Sequence, residues 1–148
     1  MTGVWIAVGA VAFALAFGVY RAATDGRFRG THAVAGADQA EHDDRIDVWA
    51  ALGGIASGTP GARGTLLQFS SAFCAPCRTT RRILEDVVSG QDGVRHVEVD
   101  AEHHLHLVRT LGVMRTPTTI ILDGPGREVG RAVGAPTKVQ VVAALAAL

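Results

Sequence analysis

The chain has 148 residues, and its 14 Lys and Arg balance its 14 Asp and Glu for a formal net charge of zero. That length holds one domain with an appendage, and a neutral balance supplies no field for a polyanion, which argues against a nucleic-acid partner. With 2 cysteines the chain cannot be a disulfide-stapled secreted fold, so the pair reads as redox-active or metal-binding.

Gly3 to Tyr20 is an uncharged apolar run with Trp5 and Tyr20 near its ends. At about 1.5 Å per residue it covers roughly 27 Å of a hydrocarbon core of about 30 Å, long enough to span with Arg21 snorkelling at one end. A signal peptide carries a basic leader and a small-residue cleavage site. Met1-Thr2-Gly3 has no basic side chain, so residues 1–23 are read as a transmembrane anchor in preference to a signal peptide or a buried core helix. Arg21, Arg27 and Arg29 follow the span and none precede it, which places the rest of the chain in the cytoplasm by the positive-inside rule.

Residues 24–45 combine Gly, Ala, His and acids without apolar periodicity and are expected to form a flexible linker, with Glu41-His42-Asp43-Asp44 as solvated surface. The domain is expected over 46–148. A short amphipathic stretch runs from Ile46 to Ile55, and Gly58-Thr59-Pro60-Gly61 turns into a buried strand from Thr65 to Ser71. A helix follows over Arg78 to Val88, with Ile83, Leu84, Val87 and Val88 at helical spacing. Val94 to Asp100 alternates as a strand, Glu102 to Leu111 is a short helix closed by Gly112, and Thr118 to Asp123 is a strand entered through Pro117. Gly124-Pro125-Gly126 turns into a strand over Glu128 to Val133. Pro136 starts a last helix, with Val139, Val142 and Leu145 expected on its apolar face.

The two cysteines lie in Phe73-Cys74-Ala75-Pro76-Cys77, at a junction of strand and helix. A cysteine in the first helical turn faces unpaired N–H groups and the positive end of the helix dipole, which favour a thiolate. Cys74 is thus the expected nucleophile, and Cys77, almost one turn on, the resolving thiol. A C-x-x-C pair also suits zinc, for which His103, His104 and His106 would have to supply the remaining ligands. Structural zinc pairs usually sit on short knuckles, whereas this one runs into a helix with Pro76 in its first turn. Redox chemistry is therefore the favoured reading, and the histidines read as a wet helix surface.

Cys74-Ala75-Pro76-Cys77, Arg115-Thr116-Pro117-Thr118 and the strand, Gly-Pro-Gly turn and strand that follow resemble the thioredoxin family over roughly 46–148. The resemblance implies an α/β fold, a central mixed sheet flanked by helices, here preceded by one transmembrane helix. It implies that Pro117 is cis beside the cysteine pair, that the Thr116 backbone binds a substrate segment, and that the only redox group is a Cys74–Cys77 disulfide, with no other cofactor and no metal. Partners would be disulfide-containing proteins and a separate electron donor or reductase. The anchored arrangement resembles small tethered members from actinobacteria, and Pro76 is similar to the reducing ones. Three positions depart from the family pattern: Phe73 stands in place of tryptophan, Ala75 in place of glycine, and Gln68 in place of a buried aspartate that deprotonates the resolving thiol. His96 falls near the usual lysine partner of that aspartate and is the one neighbour able to take a proton near neutral pH. Two further readings keep the fold: an outward-facing reductase or oxidase, and a docking or zinc-binding module that does not turn over its dithiol.

Overall fold

The computed structural model of the protein describes residues 2–24, 27–30 and 47–148. Its elements are α1 (Thr2–Thr24), β1 (Phe28–Gly30), α2 (Val48–Ala51), β2 (Gly64–Ser70), α3 (Ala75–Ser89), β3 (Val94–Asp100), α4 (Leu105–Thr110), β4 (Thr118–Asp123), β5 (Glu128–Val133) and α5 (Lys138–Leu145). The strands form one sheet in the order β1-β5-β4-β2-β3. β2 pairs parallel with β3 and antiparallel with β4, and β4 pairs antiparallel with β5. These four make the mixed sheet of the domain, and β1 adds a fifth, antiparallel strand on the β5 edge.

β2 is buried at every position, which explains why its sequence lacks alternation: both of its faces are covered. Leu67 and Phe69 pack with Val48, Leu52, Leu107 and Leu111 from the α2 and α4 side. Leu66 packs with Leu84 and Val87 of α3 and with Val141 and Leu145 of α5 on the other. Because strand side chains alternate, Gln68 and Ser70 share the α3 face with Leu66. Opposite pairs share a face too, so Thr119, His96 and Glu98 lie on that face by their register with β2.

Trp49 is tied to the β4–β5 turn, its N–H donating to the Gly126 carbonyl at 3.2 Å. Gly126 has φ +94, and a Cβ there would lie 2.5 Å from that of Trp49, so this turn requires glycine.

Several expectations are corrected. Within the range expected to be linker, Phe28–Gly30 forms β1, because the outer edge of β5 offers free backbone groups to any extended segment that reaches it; residues 25–26 and 31–46, including the Glu41–Asp44 cluster, lie outside the described residues. In the last helix Val139 is 78 % exposed and Val142 38 %, whereas Val141 and Leu145 are buried. The run is apolar at nearly every position, so spacing alone did not select the buried face. That helix is capped by Thr137 and Gln140 in a reciprocal capping box, with Pro136 outside it. Finally, α4 begins at Leu105 rather than Glu102, because the Asp100 carboxylate accepts the Glu102 N–H at 2.8 Å and holds a turn there.

α1 has a mean hydropathy of 2.0 over Gly3–Tyr20 and none of that window is buried, so it is not a core helix; its length and composition suit a membrane span or a signal sequence.

Candidate active site

β2 ends at Ser70, and after a short turn Cys74 becomes the N-cap of α3. Pro76 sits in the first turn, where the N–H it lacks would have had no helical partner. The Cys77 N–H donates to Cys74 Sγ at 3.1 Å, the Cys74 N–H donates to the Ser71 carbonyl at 3.3 Å, and the Cys74 carbonyl accepts from Arg78 N–H at 3.3 Å. The two cysteines are joined in a disulfide. Cys77 is 2 % exposed and Cys74 half-buried, so Cys74 is the sulfur a partner meets first. On reduction, the same N–H and the helix dipole favour a thiolate at Cys74.

The second motif comes to this turn from across the sheet. Thr116 Oγ1 lies 3.1 Å from Ser71 Oγ, and the Thr116–Pro117 peptide bond is cis, as the family resemblance implies. Pro117 is buried, and its carbonyl accepts from Gly134 N–H at 2.8 Å. Phe73 is 99 % and Met114 91 % exposed, so apolar side chains stand in solvent on both segments that carry the motifs.

Beneath the cysteines lies a polar network whose proton positions follow from one fixed acceptor. The Cys77 carbonyl only accepts, so the Gln68 atom 3.0 Å from it is the amide nitrogen. Gln68 Nε2 also donates to Ser70 Oγ at 2.8 Å, and Ser70 in turn donates to Glu98 Oε1 at 2.6 Å. Gln68 Oε1 then faces His96 Nε2 at 3.2 Å, so that nitrogen carries the hydrogen and only Nδ1 is left to take up a proton. Arg81 Nη1 holds the other Glu98 oxygen at 3.3 Å. Burial holds the His96 pKa below 6.5, partly opposed by Glu85 and Glu98, while Arg81 lowers it further. Gln68 is thus fully buried and satisfied, and it clamps the backbone of Cys77. The buried hydroxyls of Thr80, one turn beyond Cys77, and Thr119, paired with Gln68, have no partner among the described residues.

Ser70, Ser71 and Glu98 were not picked out from sequence as site residues. The signal was there for two of them: Gln68 and Ser70 on one strand and His96 and Glu98 on its parallel neighbour share one parity. His103 Nδ1 lies 2.9 Å from Asp100 Oδ2, and hydrogen bonds from His103 and the Glu102 N–H hold the Asp100 carboxyl below its usual range. Among the described residues no group of three His, Cys, Asp or Glu converges on a metal position.

A disulfide at a helix N-cap, one sulfur accessible and the other shielded, a cis-proline loop beside it and a mixed sheet beneath define a dithiol–disulfide domain. The chain belongs to the thioredoxin family, whose model matches residues 60–147, more than half of its length. It is 31% identical over 87 residues to a thioredoxin of Alicyclobacillus acidocaldarius subsp. acidocaldarius, covering 58% of this chain and 82% of that one. It is 32% identical over 69 residues to the SPbeta prophage-derived thioredoxin-like protein YosR of Bacillus subtilis (strain 168), covering 47% and 80%. Among solved structures, the oxidized form of mitochondrial thioredoxin 3 from Saccharomyces cerevisiae superposes with a TM-score of 0.52 at 20% identity, over 58% of this chain and 79% of that one. Thioredoxin f from spinach chloroplast superposes with a TM-score of 0.52 at 24% identity, over 59% and 77%.

Proposed function

We propose that the protein is a membrane-anchored thiol–disulfide oxidoreductase that reduces protein disulfides. The observation that carries this reading is the Cys74–Cys77 pair, with Cys74 half-buried at the N-cap of α3 and Cys77 shielded behind it. In the reduced protein the Cys74 thiolate attacks a substrate disulfide. A Cys74–substrate sulfur bond forms, the substrate S–S bond breaks, and its electron pair leaves on the departing substrate sulfur. Cys77 then loses its proton and attacks Cys74 Sγ. The mixed disulfide breaks, the second substrate thiol leaves reduced, and the protein keeps the disulfide, to be restored by a separate electron donor.

In this reading Thr116 and Pro117 line the groove that receives the substrate segment, and Phe73 and Pro76 border the nucleophile. Gln68 holds the Cys77 backbone, and His96 offers Nδ1 as the proton-accepting nitrogen of the network during the second step. The 3–20 helix serves as a single-pass anchor, with the arginines after it keeping the domain in the cytoplasm, an arrangement like that of small tethered actinobacterial members.

The test is catalysis of insulin reduction by the full chain in detergent with dithiothreitol as donor. Turnover that disappears in Cys74→Ser supports the reading, and turnover unchanged by that substitution overturns it. Labelling with a membrane-impermeant maleimide on intact, reduced cells then sets the side of the membrane: protection of Cys74 supports the cytoplasmic placement, and labelling reverses it.

A further inference from the structure

We propose that the dithiol is turned toward the membrane surface and serves a cysteine pair of an integral membrane protein at the interface, an inference that rests on the anchor reading of α1. It comes from the direction and register of β1. β1 is antiparallel to β5, β5 to β4 and β4 to β2, so β1 runs opposite to β2. The chain therefore enters the sheet at the end where β2 leaves it for Cys74. The register places this entry closely: Phe28 pairs with Ala132, Ala132 with Thr119 and Thr119 with Gln68, in one row across the sheet. One row further on, Val133 pairs with Thr118, and the next residue, Gly134, is bonded to the Pro117 carbonyl.

Between the last helical residue, Thr24, and Phe28 there are four Cα steps, which reach at most about 14 Å. Helix beyond Tyr20 adds about 6 Å. Phe28 lies in the Gln68 row, two residues or about 7 Å from the catalytic end of β2 at Ser70 and four residues or about 13 Å from its far end at Gly64, at about 3.3 Å per residue. Because the chain leaves Phe28 toward the catalytic end, a tether this short favours a bilayer around α1 nearer that end than the opposite one. A long flexible tether would have erased this preference, and β1 removes most of its length. The surface at this end suits an interface: Phe73 and Met114 are exposed apolar side chains, and Arg27 in the chain's entry and Arg115 in the cis-proline loop are exposed. Such a surface meets headgroups and the interfacial part of a membrane protein more readily than the bulk phase.

The experiment uses the full chain in phosphatidylcholine vesicles that carry an acceptor dye on the headgroup. A donor dye is placed on Cys74 in Cys77→Ser, or at the opposite end of the sheet on a cysteine introduced by Asp92→Cys with both native cysteines replaced by serine. Higher energy transfer from Cys74 than from the Asp92→Cys site supports the proposal, as does its equalisation by a flexible Gly-Ser insert after Thr24. Equal or reversed transfer without the insert, in protein that co-floats with the vesicles, overturns the orientation and leaves the anchor standing. Protein that does not co-float overturns the anchor itself. A second measurement addresses the partner. The active full chain in vesicles should reduce a disulfide dye linked to phosphatidylethanolamine at least tenfold faster, relative to the same disulfide free in solution, than the insert variant does. An unchanged ratio overturns the membrane-protein partner in favour of a soluble one.

Discussion

At the residue scale, the two sulfurs differ in what surrounds them. Cys74 is half-buried and accepts a backbone N–H, whereas Cys77 is 2 % exposed behind it. In the reduced protein, iodoacetamide at mildly acidic pH should modify Cys74 first, read by mass spectrometry of peptides; faster modification of Cys77 would reverse the two roles. His96 gives a second test, in stability. Its folded-state pKa lies below 6.5 chiefly because burial disfavours the imidazolium, so the unfolded chain binds the proton more readily. The contribution of His96 is then fully present above about pH 6.5 and is lost as pH falls toward the folded pKa. His96→Gln retains a donor for Gln68 Oε1 and should flatten that part of the denaturation-midpoint profile; a profile unchanged in slope would remove His96 from the linkage. In kinetics, His96→Gln should slow release of the Cys74 mixed disulfide on the order of tenfold or more while leaving its formation unchanged. Gln68→Asp should restore part of the rate, and wild-type release in both variants would leave neither residue a part in proton transfer. The pairing of Gln68 with His96 was legible in the sequence because two departures from one family pattern fell on adjacent strands. Parity put Ser70 and Glu98 on the same face, but the link through Ser70 to Glu98 was not legible, because it requires the parallel register of β2 on β3.

At the scale of elements, the strands and α3 were readable because their constraints are local: Pro76 at a first turn, glycines at positive φ, and seven consecutive buried positions in β2. The face of α5 was not, because Lys138-Val139-Gln140-Val141-Val142 offers an apolar residue in nearly every direction and only packing against Leu66 and Leu84 selects among them. The consequence is measurable. Leu145, 1 % exposed in the cluster with Leu84 and Val141, should cost about 2–5 kcal/mol when cut to alanine. Val139→Ala should be neutral or stabilise by a few tenths of about 1 kcal/mol, since alanine is the better helix former at an exposed site. Urea denaturation of both variants checks this; comparable losses would restore the face expected from spacing.

At the scale of the whole molecule, the chain joins a packed domain to an apolar helix that is not buried in it. The domain buries its apolar clusters on both faces of the sheet, while α1 leaves Trp5, Ile6, Phe13, Leu15 and Phe17 more than half exposed. In water that helix is a large unpartnered apolar surface, and a hydrocarbon core is the environment in which it costs nothing. A charge at its centre therefore separates the two parts. Ala12→Arg places a cation near the middle of the Gly3–Tyr20 window, at an insertion cost of about 2.5–3.5 kcal/mol. The wild-type chain should stay with membranes through alkaline carbonate extraction, with its first residues intact by mass spectrometry, whereas Ala12→Arg should shift a large fraction into the soluble phase. Ala12 lies outside both apolar clusters of the domain, so the released variant should still reduce insulin at the rate of the detergent-solubilised parent. Release of the wild-type chain with its N-terminus cleaved would make α1 a signal sequence, and the domain would then act on the far side of the membrane, free of the surface.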